Sequence, residues 1–192
     1  MVDNTVKFYF AYNSPFAFLA NIHIAHDLGP YDVHLVYKPV YSPRSGGGGP
    51  DLNAPKVKYM FEDFRRQLRV FGMLPDPGPF ADSKKACMGF LVAHGQGAGV
   101  SYHNGVFRAR WLEERNIGDE ETLAAIAERV GLERQAFLSA LRDPQYDQAL
   151  QQCNADAEAD EVFGFPFFIY NGQKFWGNDR TDWLVRAVQS DA

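Results

Sequence analysis

Three places in this 192-residue chain set chemistry-bearing residues at the mouth of a regular element. The first is Ser14. It follows Val6 to Tyr12, an aromatic and β-branched run that reads as a buried strand. Serine suits a helix N-cap and Pro15 the first helical position, so Ser14 falls where a strand feeds a helix. Ligands of open α/β sheets bind beyond the carboxyl ends of strands. A helix N-terminus there offers free N–H groups and a positive dipole end, which stabilise a thiolate or another anion. A plain helix cap accounts for the same residue. The second place is Pro166, in Gly164-Phe165-Pro166, inside an otherwise strand-like stretch. A cis Phe165-Pro166 bond would explain it and would turn the Phe165 backbone N–H and C=O outward, ready to pair with an extended, peptide-like ligand. A bulge or an edge strand is the alternative. The third is Trp176-Gly177-Asn178-Asp179-Arg180, again a strand running into a helix start. Asp179 either caps that helix or holds a ligand ammonium beside N–H groups that hold a ligand carboxylate. A γ-glutamyl end carries both groups.

Other chemistries fit poorly. Cys87 and Cys153 are far apart and form no C-x-x-C, so neither a disulfide framework nor a zinc-finger spacing exists. His23 and His26 have no H-E-x-x-H and no matching carboxylates, and His34, His94 and His103 are isolated. A triad built on Ser14 would lack the G-x-S-x-G elbow, because Tyr12 and Phe16 flank it. The run Gly46 to Gly49 lacks the Lys-Ser/Thr of a phosphate loop. Gly95-Gln96-Gly97-Ala98-Gly99 follows a helix instead of a strand, which disfavours a dinucleotide fingerprint. A net charge of −5 without any basic run argues against nucleic acid. No apolar stretch nears the ~20 residues of a membrane span, and the N-terminus lacks a secretory pattern. The expected setting is reducing and cytoplasmic.

The elements that must position these residues follow from periodicity. Hydrophobic residues make up 46% of the chain, enough for a sizeable core. Phe18, Leu19, Ile22 and Ala25 mark a first helix ended by Gly29-Pro30, and Val33, Leu35 and Tyr37 alternate as a strand. This is a βαβ unit with parallel strands. Ser42 to Asn53 reads as a loop. Val57, Met60, Phe61, Phe64, Leu68 and Phe71 give one apolar helix face. Ala86, Cys87, Phe90 and Leu91 make a second pattern, and Val106, Phe107 and Trp111 a third, with Asn104-Gly105 suggesting a boundary inside it. Further helices carry Leu123, Ile126 and Val130, then Phe137, Leu138 and Leu141, then Tyr146, Leu150 and Cys153. Val162 to Tyr170 and Gln173 to Trp176 read as a hairpin around Asn171-Gly172, and Asp179 opens a closing helix with Trp183, Leu184 and Val188. The order predicts an α/β thioredoxin-like fold with an inserted all-helical domain. Residues 1–52 plus 160–192 would form the first part, and 53–159 the insertion.

Three stretches together carry a family likeness. Phe8 to Leu19 (Phe-Tyr-Phe-Ala-Tyr-Asn-Ser-Pro-Phe-Ala-Phe-Leu) resembles the start of 2-hydroxychromene-2-carboxylate isomerases and kappa-class glutathione transferases. Val162 to Pro166 with Phe175 to Arg180 resembles their end, and Asn53-Ala54-Pro55-Lys56-Val57-Lys58-Tyr59 is similar to their Asn/Lys segment. The resemblance implies glutathione as a cofactor that is used and restored. Ser14 would be the active-site serine, standing where DsbA-type oxidoreductases have their first cysteine, with its hydroxyl donating to the glutathione sulfur. Phe165, before cis-Pro166, would pair its backbone with the cysteinyl part. Asn178 and Asp179 would hold the γ-glutamyl end, and Asn53 and Lys56 (or Lys58) the glutathione backbone and glycyl carboxylate. The implied activity is isomerisation of a small aromatic electrophile by thiolate addition, bond rotation and elimination. A kappa-like transferase or peroxidase is one alternative, and a DsbA-family binding protein without thiol–disulfide activity another. The family's members are commonly homodimers. Phe165 stands where they usually have Val and Phe167 where they usually have Thr, and both changes are expected to crowd the sulfur.

Overall fold

The computed structural model describes residues 4–41, 51 and 53–191. In chain order the elements are β1 (Thr5–Phe10), α1 (Pro15–Leu28), β2 (His34–Pro39), α2 (Pro55–Val70), α3 (Lys84–Gly95), α4 (Gly99–Leu112), α5 (Glu120–Arg129), α6 (Arg134–Ala140), α7 (Pro144–Ala159), β3 (Phe167–Tyr170), β4 (Gln173–Trp176), a 3-10 turn (Asn178–Arg180) and α8 (Thr181–Asp191). The sheet runs β2-β1-β3-β4. β1 and β2 are parallel, joined through α1, and the other two pairings are antiparallel. This is the thioredoxin-like arrangement, with the ends of the chain building the sheet and a run of helices between them.

β1 is buried on both faces, which is why it reads as an almost continuous aromatic run. Phe8 and Phe10 face one way, and Phe8 stacks on Phe168 with ring centroids 4.7 Å apart. The same cluster takes in Phe18 and Leu19 of α1, Phe64 and Leu68 of α2, Phe90 of α3, Phe107 and Trp111 of α4, and Leu184 and Val188 of α8. Each such side chain contributes about 1.5–3 kcal/mol through burial. The helices between β2 and β3 therefore share one core with the sheet. On the other face Tyr9, Phe167 and Ile169 pack with Val40 and with Ala157 of α7. Polar pairs fasten this end of α7: Asp160 accepts from Lys7 Nζ at 2.7 Å and from the Tyr9 hydroxyl, and Lys38 donates to Asp156 at 2.9 Å.

Four local expectations need correction. Asn104-Gly105 marks no boundary, because α4 runs unbroken through it. A Cβ on Gly105 would stand 2.7 Å from Ile126 Cγ2, so glycine is there to let α5 approach. The strand expected over 162–170 starts only at Phe167, after the cis Phe165-Pro166 bond. Asp179 does not cap the closing helix: it lies within the 3-10 turn, and α8 begins at Thr181. The aromatic face of α2 divides, with Phe64 buried, Phe61 half-buried and Phe71 exposed against His23. The hairpin turn is as expected, with positive φ at Asn171 and Gly172. The glycine run 46–49 lies outside the described residues.

Candidate functional site

Ser14 sits in a turn that the surrounding helices hold in place. Trp111 Nε1 donates to the Tyr12 carbonyl at 3.0 Å, Asn13 Nδ2 donates to the Ala81 carbonyl at 2.9 Å, and the Ser14 N–H donates to the Ala11 carbonyl at 3.0 Å. Ser14 is the N-cap of α1, with extended φ −92° and ψ 114°, and its Oγ accepts from the Ala17 N–H at 3.2 Å. No acidic residue lies in the first turn of α1, so nothing within the helix neutralises its positive end. The Ser14 hydroxyl donates to the Phe165 carbonyl at 3.0 Å. The strand end and the helix start are thus in direct contact. The carbonyl of Phe165 is therefore taken by a side chain and is not simply open, as expected from sequence. Its N–H has no hydrogen-bond partner among the described residues.

Beside this contact lies a cleft of about 320 Å³. Phe16, Phe165 and Trp176 supply its apolar surface, and Asp63, Gln67, Asn178, Asp179 and Arg180 its polar surface. Three sequence-predicted residues, Phe165, Asn178 and Asp179, meet here. Pro166 is buried beside them, and its carbonyl accepts from the Gly177 N–H at 3.0 Å, which ties the two loops together. Asn178 Nδ2 donates to Gln67 Oε1 at 2.6 Å, and Gln67 Nε2 to Asp63 Oδ2 at 2.8 Å. Among the described residues Asp179 pairs only with its neighbour Arg180, at 2.7 Å on an exposed surface, where such pairs contribute little. Its carboxylate is open to a cationic ligand.

The structure separates the remaining candidates. Asn53 and Lys56 are exposed at the start of α2 and do not line this cleft, and Lys58 lines a different one. Phe167 does not crowd the site as expected. Its side chain points to the opposite face of the sheet, in the cluster with Tyr9 and Ile169. Phe165 alone of the two departures lines the cleft. Phe16, Asp63 and Gln67 were not singled out from sequence. Asp63 and Gln67 lie four apart beside the apolar face of α2, a spacing that puts them on one stripe but says nothing of what they face.

Other nucleophiles are disabled by their surroundings. Cys87 is fully buried and Cys153 half-buried, and burial raises both thiols above their ordinary range. His103 is buried among Phe10, Tyr37 and Phe107, and loss of solvent pushes it down to about 3. No group of three or more His, Cys, Asp or Glu residues able to hold a metal ion occurs among the described residues. None of the described helices is long and apolar enough to cross a membrane.

Comparison with known proteins agrees with this fold. The DSBA-like thioredoxin domain family matches residues 5–189. A 2-hydroxychromene-2-carboxylate isomerase of Sphingobium xenophagum is 30% identical, over 95% of this chain and 97% of its own. A solved structure of a 2-hydroxychromene-2-carboxylate isomerase superposes with a TM-score of 0.85 at 27% identity, covering 97% of this chain and 95% of that one. A probable DsbA oxidoreductase of Streptomyces coelicolor shares the fold, with a TM-score of 0.83 at 15% identity, over 97% of this chain and 88% of that one.

Proposed function

The chain belongs to the DSBA-like thioredoxin domain family, and on that premise we propose that it is a glutathione-dependent isomerase of the 2-hydroxychromene-2-carboxylate isomerase type. The observation that carries this is Ser14. A hydroxyl, not a thiol, stands at the positive end of α1 and against the Phe165 backbone, and neither cysteine lines the cleft. A site so built holds a sulfur anion and does not supply one.

The donor set suits glutathione. The unpaired N–H of Phe165 and the second lone pair of its carbonyl suit an extended cysteinyl segment. Asp179 and Asp63 suit an ammonium, and Asn178 and the backbone at the 3-10 turn suit the neighbouring carboxylate. Bound glutathione would supply a thiol nucleophile that adds reversibly to an electron-poor conjugated carbon, freeing a bond to rotate. The protein's own part is electrostatic. Ser14 Oγ–H, which donates to the Phe165 carbonyl in the free protein, would be in place to donate to the sulfur instead, and the end of α1 would favour the thiolate. Phe16, Phe165 and Trp176 would give the bound tripeptide an apolar flank.

The deciding experiment incubates the enzyme with 2-hydroxychromene-2-carboxylate, with and without glutathione. Turnover that requires glutathione, without consuming it, is expected. Turnover without glutathione, or none while glutathione is bound, would overturn the proposal.

A further inference from the structure

α2 stands between two clefts. Lys58, Phe61, Glu62 and Arg65 line one of about 480 Å³, and Asp63 and Gln67 line the one beside Ser14. Asp63 and Gln67 lie one helical turn apart, and Gln67 Nε2 donates to Asp63 Oδ2 at 2.8 Å. Arg66 Nη1 holds the other carboxylate oxygen, Oδ1. Gln67 also reaches the 3-10 turn, where Asn178 Nδ2 donates to Gln67 Oε1 at 2.6 Å. The ends of this last bond are 111 residues apart, so it forms only once α2 has docked beside the last segment of the chain. Asp63, Gln67 and Asn178 are all half-buried.

The bonds run in one direction. An ionised carboxylate only accepts, so the Gln67 amide must turn its nitrogen to Asp63 and its oxygen to Asn178. That oxygen also only accepts, so Asn178 must turn its nitrogen, not its oxygen, toward α2. The charge on Asp63 thus sets the orientation of an amide two bonds away. A side-chain amide is nearly symmetric in shape, and packing alone does not choose between its two orientations. The Asn178 backbone is held by other contacts. Gly177 N–H donates to the Pro166 carbonyl at 3.0 Å, and Thr181 Oγ1 donates to the Asn178 carbonyl at 3.1 Å. What is left for Gln67 to decide is the rotation of the amide. Asn178 Nδ2 carries two N–H groups, and Gln67 Oε1 accepts one of them.

We propose that Gln67 is a positioning residue: anchored on Asp63, it presents the Asn178 amide nitrogen-first to the α-carboxylate of a bound amino-acid end. Naming that end as the γ-glutamyl group of glutathione rests on the reaction proposed above. The opposite orientation would set the amide oxygen against the carboxylate and repel it. Gln67 acts through Asn178 on how tightly the ligand is held, not on the chemical step.

The test is calorimetry with glutathione and with 4-aminobutanoyl-cysteinylglycine, the same tripeptide without the α-carboxylate. Gln67→Met keeps the side chain's length and a good helix former while removing both hydrogen bonds. It is expected to weaken glutathione by about fivefold, the scale of one hydrogen bond, and to leave the analogue within about twofold. KM for glutathione should rise by the same factor, with kcat at saturation unchanged. In an Asn178→Ala background Gln67→Met should have no further effect, because the two residues act as one unit. Equal losses for both ligands, additive losses in the double variant, or glutathione binding unchanged or tightened by Gln67→Met would overturn the proposal. The free protein gives a reading that needs no ligand. Solvent exchange of the Asn178 side-chain N–H groups, followed by nuclear magnetic resonance, is expected to quicken by about fivefold in Gln67→Met, and unchanged exchange would overturn the anchoring. A wild type that binds no glutathione would refute the glutathione-dependent reaction; the same comparison made with L-glutamate and 4-aminobutanoate would then decide the role of Gln67.

Discussion

Ser14→Ala removes a single oxygen that takes part in three interactions. In the free protein Oγ caps α1 through Ala17 N–H and donates to the Phe165 carbonyl. The cap is worth about 1 kcal/mol and the neutral hydrogen bond about 1 kcal/mol. The variant is therefore expected to lose about 2 kcal/mol, lowering Tm by about 4–8 °C for a chain of this length. With glutathione bound, the same hydroxyl exchanges the carbonyl for a thiolate. A hydrogen bond to a charged group contributes about 2.4 kcal/mol, and subtracting the carbonyl bond leaves about 1.4 kcal/mol. That amounts to about one pKa unit on the bound thiol, or about tenfold in thiolate population at neutral pH. The sign is definite: the variant's thiol pKa rises, so activity falls most at neutral pH and converges on the wild type at alkaline pH. The assay follows the ultraviolet absorbance of enzyme-bound thiolate, and turnover, across a pH series. An unchanged thiolate titration, with turnover unchanged at neutral pH, would refute the role of the hydroxyl.

Asp179→Asn is expected to weaken glutathione binding by about two- to fivefold, the range of an exposed ion pair, and to flatten its salt dependence; calorimetry at two ionic strengths checks this. Replacing Cys87 with Ala and Cys153 with Ser should leave turnover within about twofold, because neither thiol is ionised in its setting, and an insulin-reduction assay should read zero before and after. His103 sits at about 3 in the fold against about 6.5 when unfolded, so the unfolded chain binds the extra proton between those values. Stability from this group is complete above pH ~6.5 and falls on acidification through that window by up to about 1.4 kcal/mol per pH unit. Denaturant melts from pH 7 to 4 should show this slope, and His103→Gln should reduce it.

Which side chains of α2 line which cleft was not legible in the chain. The strand–Ser14–helix junction, the break at Pro166 and the hairpin at Asn171-Gly172 were, because each is a local event: a cap, an imino acid, a pair of residues that tolerate positive φ. Those signals, with the aromatic run of β1, determined the element order at both ends of the chain and so the thioredoxin-like fold. They misplaced what depends on neighbours. Asn104-Gly105 resembled a break but is a close approach to Ile126. Phe167 stood next to the site in sequence, yet strand alternation turned it to the far side of the sheet. Asp63 and Gln67 carried no local signal at all, since ordinary charged and polar helix residues look alike until another element covers them. Packing α2 against α1 decided that these two would face the cleft beside Ser14. Local sequence fixes elements through short-range sterics, whereas a site is made of long-range neighbours that only the folded chain brings together.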